Sequence, residues 1–332
     1  MTDTQNENRA AAVSGAHETQ AAKLEKRMDG RYDNIVTYDT PPYIERKRKR
    51  GDRKDGRRVR SLAPMFYVSP FIMKVRADSQ NHFEDVIDIT NIENYLDRKH
   101  KEGYTDMTLL HVVLAAYVRT VSERPGINRF IAGQRIFARN RIECNMDIKK
   151  EMTLESSGTC IKAVFDPRDN IDNVYKKFQL LVHKALTTTT GFDDTAKKLT
   201  KMPRLIFRAA IGFLRFLDYF GRLPKSLLDV SPFHGSMFIT HLGSLGIPAI
   251  YHHLYDFGNV PVFIAIGNKF YGEYLAPNGE RERHHFVTMK IVTDERICDG
   301  YYYASAFKRI KRYLLHPEML DKIRTEVTED FD

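Results

Sequence analysis

The order of helix-type and strand-type segments constrains the fold of this chain more than any other feature. Leu109, Val113, Tyr117 and Val121 repeat at helical spacing and predict a helix over about 107–123. Four separate strand-type runs, SMFITHL, VPVFIAIG, KFYGEYL and HHFVTMKIV, follow it along the chain. Because helices and strands alternate irregularly and without a fixed repeat, we expect one α/β domain with a mixed sheet and not a regular doubly wound fold.

Cap and turn signals predict the other elements. Helices are expected over 91–102, after a capping-box pattern that runs from Thr90 to Glu93, and over about 170–186 and 300–315. Ala132-Gly133-Gln134 and Pro277-Asn278-Gly279 predict hairpin turns. Residues 63–80 mix apolar residues with prolines, so we expect strands or extended segments there.

The length of 332 residues is enough to bury a full hydrophobic core. We expect a disordered polar tail over 1–26, a basic N-terminal extension over 27–62, and a folded domain over 63–332 that includes a helical insertion at 202–232. The first residues lack the apolar core of a secretory signal, and no stretch is apolar enough to span a membrane, so a cytoplasmic location is expected. Three scattered cysteines indicate neither a disulfide framework nor a zinc site, and no metal is expected.

The net charge of +9 is concentrated in the run ERKRKRGDRKDGRRVR over 45–60. Two interpretations stay open. The run is either a solvated, mobile segment or a contact site for an anionic partner, such as a phosphorylated cofactor or an anionic membrane surface. Nucleic acid is not favoured as a partner, since no aromatic residue interleaves the run to stack on bases.

Three segments of the C-terminal third resemble a known family. GSMFITHLGSLG over 235–246, VPVFIAIGNKF over 260–270 and TDERICDGYYYASAFKRIKRYL over 293–314 look like consecutive motifs of the dihydrolipoyl acyltransferase catalytic domain of 2-oxo acid dehydrogenase complexes. Chloramphenicol acetyltransferase is similar in the last of these segments. The resemblance extends over roughly residues 65–320, and before the C-terminal third it consists only of the order of elements.

The resemblance implies a CoA-dependent acyltransferase fold of the chloramphenicol acetyltransferase type, an α/β sandwich with a mixed β-sheet and flanking helices. It also implies a homotrimer whose active site lies between subunits and binds CoA or an acyl-CoA. By the same resemblance, Thr240 matches the hydroxyl that stabilises the oxyanion. Asp299 matches the motif aspartate, which orders its loop, by pairing with an arginine in the family, or caps the following helix.

Glu295 occupies the position at which the family has its catalytic histidine. A glutamate ordinarily titrates near pH 4.3 and a histidine near 6.5, so proton abstraction by glutamate costs roughly 3 kcal/mol more. Burial can raise a carboxyl pKa and recover part of that cost. The site therefore predicted from the sequence is Glu295, Thr240 and Asp299, with two interpretations of Glu295 open: a working base, or a glutamate exposed or ion-paired to Arg296 or Arg283 in a protein that lost the reaction.

Two nearby sets of histidines are weaker candidates. His241 occupies a position at which the family often has asparagine, and we interpret it as a packed or surface histidine. His284 and His285 lie about ten residues before Glu295, without the four-residue spacing to Asp299, and are interpreted as exposed strand residues.

The insertion at 202–232 predicts a helix with an arginine stripe and an otherwise apolar surface. Such a surface is expected to be covered by the domain core, a neighbouring subunit or a lipid interface, or to form a wall for a long acyl chain. Nothing in residues 1–60 resembles a lipoyl domain or a peripheral-subunit-binding domain, so membership of a 2-oxo acid dehydrogenase complex is not expected.

Three functions follow from these observations. The first is an acyltransferase that moves an acyl group between CoA and an unidentified thiol, hydroxyl or amine. The second is a non-catalytic trimeric binding or scaffold protein that kept the fold. The third is a peripheral membrane protein that uses the basic run and the insertion helix.

Overall fold

The computed structural model of the chain describes residues 34–40, 42, 47–149, 158–187 and 200–330. The predicted polar tail at 1–26 lies outside these residues. The helices, numbered in chain order, are α1 (Pro64–Ile72), α2 (Thr90–Lys101), α3 (Leu109–Glu123), α4 (Ile171–Thr187), α5 (Arg204–Tyr219), α6 (Lys225–Val230) and α7 (Gly300–Leu315). The strands are β1 (Gly56–Arg58), β2 (Gln80–Asp88), β3 (Arg129–Ala132), β4 (Arg135–Arg139), β5 (Ile142–Lys149), β6 (Gly158–Phe165), β7 (Met237–His241), β8 (Val262–Leu275) and β9 (Arg281–Asp294).

The strands of the described ranges form two sheets. The larger has the order β2-β9-β8-β7-β5-β6, and in it β7 runs parallel to both β5 and β8 while the other neighbours are antiparallel. The smaller sheet, β1-β4-β3, is antiparallel. The predicted mixed sheet with flanking helices is confirmed.

The main hydrophobic core lies between the larger sheet and helices α2, α3, α4 and α7. Val113 and Tyr117 of α3 pack with Ile239 of β7, Ile264 of β8 and Tyr303 of α7, all at most 1% exposed. Burying each such side chain contributes about 1.5–3 kcal/mol, so α3, every residue of which is buried, is the central helix. We call this the helix side of the sheet.

The opposite side of the sheet is covered in part by the segment between β7 and β8. Phe238 of β7 stacks on Phe263 of β8 with ring centroids 5.0 Å apart, and Leu254 and Val260 of the segment between these strands complete a smaller cluster. Side chains alternate between faces along a strand, so Thr240 shares this side with Phe238. We call it the loop side.

Most predicted elements are present, and two were wrong. Residues 64–72 form helix α1 instead of a strand, because Pro64 occupies the first turn, where a missing N–H costs nothing. The runs VPVFIAIG and KFYGEYL form one strand, β8, interrupted only by an irregularity between Ile266 and Lys269.

The cap signals had mixed outcomes. Asn170 caps α4, since its Oδ1 accepts from the N–H of Asn173 at 3.0 Å. The capping box predicted at Thr90 does not form, because its hydroxyl accepts from the backbone of His285 and Glu93 binds Lys269. Helix α2 starts at Thr90 all the same.

The described part of the basic run, residues 47–60, is folded against the domain. Strand β1 pairs with β4, Val59 joins the main core, and Arg53 is 4% exposed. A solvated segment was therefore the wrong interpretation for Arg53. These contacts join part of the extension predicted over 27–62 to the domain predicted over 63–332. The boundary between the two stays a prediction.

None of the helices in the described ranges combines the length and the apolar composition that crossing a bilayer requires. All three cysteines are unpaired and buried.

Candidate active site

The turn after β9 is fixed by a buried ion pair. Arg296 binds both carboxylate oxygens of Asp294, with Nε to Oδ1 at 2.8 Å and Nη2 to Oδ2 at 2.7 Å. Its Nη1 donates to the carbonyl of Met73, and Arg76 lies 3.9 Å from the same carboxylate. Because Asp294 is fully buried and bound at both oxygens, residue 295 is held at a defined place.

Glu295 itself is half-buried, and its side chain has no ion pair or hydrogen bond among the described residues. Its backbone N–H donates to the carbonyl of Ser79 at 2.9 Å. The two arginines considered as partners are occupied elsewhere, Arg296 by Asp294 and Arg283 by the ring of Tyr271, 3.9 Å from its guanidinium carbon. The backbone of Glu295 is thus held in place, and no cation among the described residues neutralises its carboxylate.

Asp299 caps helix α7. Its Oδ1 accepts from the N–H of Tyr302 at 2.7 Å, and the side chain is exposed. The structure therefore has Asp299 in the capping role, and no ion pair of Asp299 occurs in the ranges that the structure describes. A carboxylate at this place also complements the helix dipole.

Thr240 lies near the end of β7, opposite Ala265 of β8. It is half-buried on the loop side, and its hydroxyl has no hydrogen-bond partner within the described part of the chain. A hydroxyl that is held in place and free to donate suits oxyanion stabilisation.

Thr240 and Glu295 are far apart in one protomer. The register places Thr240 in one row with Ala265 and Lys290, and Glu295 follows Lys290 by five residues along the chain. With a rise of about 3.4 Å per residue and about 4.8 Å between strands, the two residues are roughly 20 Å apart. A single chain does not bring the two predicted groups together.

The weaker histidine candidates have other surroundings. His241 points to the helix side, away from Thr240, and burial and the charge of Lys269 lower its pKa, so its imidazole is neutral at neutral pH. His284 contacts Asp88 and Glu282, and these hydrogen bonds raise its pKa. His285 contacts Glu93.

Sequence reasoning missed a pocket that is lined by Arg296, the residue after Glu295. Arg296 and Arg76 line one wall of an open pocket of about 270 Å³, and Arg215, Asp218 and Tyr219 of α5 line the other. The sequence feature that could have indicated this pocket is the insertion at 202–232. Local sequence does not show that the insertion lies next to the segment containing Arg296.

Helix α5 leaves most of its surface exposed. None of its residues is fully buried. The apolar side chains that face outward include Leu205, Phe213 and Phe216, respectively 81%, 60% and 57% exposed, and Phe220, just after the helix, is 58% exposed. Of the surfaces expected to cover this helix, the core of its own domain was therefore the wrong one.

A buried polar network ties α5 down. Arg53 Nη2 binds Asp218 Oδ1 at 2.5 Å and its Nε binds Asp55 Oδ1 at 2.9 Å. His234 Nε2 lies 3.4 Å from the other oxygen of Asp218, and its Nδ1 is 2.8 Å from the hydroxyl of Ser231.

Comparison with known proteins supports the fold. No family model and no curated protein sequence matches the chain. Among solved structures, it is similar to a probable dihydrolipoamide acetyltransferase from Listeria monocytogenes, with a TM-score of 0.50 and 16% identity over 79% of this chain and 92% of that one. The cubic core of the pyruvate dehydrogenase multienzyme complex gives a TM-score of 0.46 and 14% identity over 79% and 93%. A chloramphenicol acetyltransferase gives 0.44 and 12% over 75% and 94%. The predicted fold, that of CoA-dependent acyltransferases of the chloramphenicol acetyltransferase type, is confirmed.

Proposed function

We propose that this chain is a CoA-dependent acyltransferase that works as a homotrimer, with Thr240 of one protomer and Glu295 of the next in each active site. One observation carries the proposal: both groups are half-buried and without a side-chain partner among the described residues, while the neighbouring Asp294 is fully bound. The separation of the two groups within one chain, together with the fold, supports a site shared between subunits.

In the proposed reaction, the Glu295 carboxylate takes the proton of the acceptor, which attacks the thioester carbonyl of an acyl-CoA. Thr240 donates a hydrogen bond to the oxyanion of the tetrahedral intermediate. The intermediate collapses, the bond from the acyl carbon to sulfur breaks, and the CoA thiolate receives the proton from Glu295. No net proton or electron is exchanged.

A glutamate base favours a thiol as the acceptor. A thiol titrates near pH 8.5, about four units above an ordinary carboxylate, whereas an alcohol is far less acidic. Proton transfer to Glu295 is therefore least unfavourable from a thiol. We propose thiols ahead of hydroxyls and amines for this reason.

The test measures transfer from acetyl-CoA and longer acyl-CoAs to small thiols, alcohols and amines, with products identified by mass spectrometry. Thr240→Val is expected to lower kcat/KM by about 10²–10³, as does the loss of one oxyanion donor elsewhere, and Thr240→Ser to restore most of it. Glu295→Gln is expected to lower it by about 10²–10⁴. Glu326→Gln is the control, because the Glu326 side chain is exposed and has no hydrogen bond or ion pair among the described residues.

The second candidate, a non-catalytic trimeric binding or scaffold protein, predicts a different result. It predicts no transfer by the wild type with any acceptor. Activity that appears only in Glu295→His would establish that the natural protein is a dormant relative. Equal activity of wild type and Glu295→Gln would contradict the role proposed for Glu295.

A further inference from the structure

A second, larger pocket opens on the helix side of the sheet. It has a volume of about 590 Å³ and lies where the C-terminal ends of α3 and α7 meet the segment over 317–325. This volume is within the range of about 300–1,000 Å³ typical of small-molecule sites. Thr240 points to the loop side, so the pocket is separate from the proposed active site.

Cations dominate the lining of this pocket. Two carboxylates, Glu123 and Glu318, face five cationic side chains, which are Arg119, Arg309, Arg312, Lys322 and Arg324. The formal charge of the lining is therefore +3. This positive charge is larger than the partial negative charge at the C-terminal ends of α3 and α7.

The two carboxylates are already engaged. Glu123 lies 3.6 Å from Arg309 and 3.4 Å from Arg324, and it accepts a hydrogen bond from the hydroxyl of Tyr313 at 2.6 Å. Glu318 lies 3.5 Å from His316. Three cations of the pocket, Arg119, Arg312 and Lys322, have no carboxylate within 4.0 Å in the described part of the chain.

Arg119 is the unusual member of this set because it is 6% exposed. Its Nη1 donates to the carbonyl of Met319 at 3.4 Å and its Nη2 to that of Lys322, while its Nε is buried without a hydrogen-bond partner among the described residues. Burial lowers its pKa. Glu123 acts on this cation electrostatically but forms no ion pair with it within 4.0 Å, and an anion in the pocket would further offset the cost of burying the guanidinium group.

We propose that this pocket binds a phosphorylated organic anion. Arg119 at the floor and the exposed pair Arg312 and Lys322 at the rim supply the charge, since guanidinium groups bind phosphate oxygens strongly. Tyr313, Met319 and Ile323 supply apolar surface for the organic part of the ligand. The proposal does not depend on the proposed acyl transfer.

The experiment is calorimetric titration of the full chain with ADP and with inorganic pyrophosphate at 0.15 M salt, where weak surface attraction is screened. ADP is expected to bind with a Kd below about 1 mM. The double variant Arg312→Ala/Lys322→Ala is expected to raise that Kd by at least about tenfold, through lost charge-assisted contacts. Both residues are exposed, so folding is not at risk.

The matched control is Lys308→Ala/Lys225→Ala, which removes the same net charge at exposed positions outside the pocket. Its Kd for ADP is expected to equal that of the wild type. Absence of binding of both probes up to about 10 mM would overturn the proposal. An equal loss in both double variants would overturn it as well, since binding would then follow the overall charge of +9.

Discussion

Arg53, in the basic run, and Asp218, on the insertion helix, form a buried ion pair across 165 positions of sequence. Arg53 Nη2 lies 2.5 Å from Asp218 Oδ1, the Arg53 side chain is 3% exposed, and its Nη1 also donates to the Asp218 carbonyl. The same guanidinium binds Asp55 at 2.9 Å. This pair attaches α5 to the domain and so holds Asp218 in the lining of the pocket of about 270 Å³.

Arg53→Met is expected to lower the free energy of unfolding by about 3–5 kcal/mol, because two buried carboxylates lose their cation. Urea denaturation followed by circular dichroism measures the change. Lys54→Met, an equal change of charge at the exposed neighbouring position, is the control and is expected to shift stability by less than about 0.5 kcal/mol. Similar losses in both variants would contradict the role assigned to the pair.

The Asp218 carboxylate also predicts a pH dependence. Burial alone would raise its pKa, but His234 and Arg53 outweigh burial and lower it to about 2. Burial lowers the pKa of His234, so that imidazole is neutral at neutral pH and Arg53 supplies the charge. A folded-state pKa below the unfolded value of 3.8 gives stability that is present above about pH 4 and is lost as the pH falls toward 2.

Asp218→Asn is therefore expected to be less stable than wild type at pH 7 by about 2 kcal/mol or more. The difference is expected to shrink below about pH 4, in urea titrations from pH 7 to pH 3. Asp229→Asn, at an exposed position of the same insertion, should show a small and constant difference. A constant difference for Asp218→Asn would show that the carboxylate charge contributes nothing.

Gly258 and Gly279 permit a matched test of close backbone packing. Both have positive φ, 87° and 85°. A Cβ on Gly258 would lie 2.0 Å from the carbonyl oxygen of Phe233, whereas one on Gly279 would meet nothing within 4 Å. Both substitutions by alanine incur about 1–2 kcal/mol of left-handed strain.

Gly258→Ala is expected to cost at least about 2 kcal/mol more than Gly279→Ala, because overpacking against backbone adds to the strain. Thermal unfolding of the two variants gives the comparison directly. Equal melting temperatures would mean that the turn at Gly258 relaxes freely.

The sequence predicted an element correctly when the residues that determine it lie within a few positions of one another. Helix α7 was predicted to the residue, since Asp299-Gly300 and the amphipathic repeat that follows act within a few residues. Helix α1 was missed because its two prolines and aromatic residues outweighed its helical tendency. The two halves of β8 were separated because Gly267 and Asn268 look like a turn in isolation.

The residues proposed for the site could be named from the sequence, but their arrangement could not. The identity of Thr240 and Glu295 followed from motifs within a few residues of each. Their separation depends on strand order, in which β8 lies between β7 and β9. The partner of Arg53 likewise lies too far along the chain for a charge run to reveal it.

The roughly 20 Å between Thr240 and Glu295 within one chain leads to a complementation test. Thr240→Val and Glu295→Gln protomers are each expected to form inactive homotrimers. The two variants are unfolded, mixed in equal amounts and refolded, so that half of the protomers supply Thr240 and the other half supply Glu295. If each site takes one residue from each of two adjacent protomers, both residues are intact in about a quarter of the sites, and about a quarter of the wild-type activity is expected to return. Refolded wild type, and each variant refolded alone, are the controls. Recovery no greater than the sum of the two variants alone, with mixed trimers demonstrated by native mass spectrometry, would exclude a shared site.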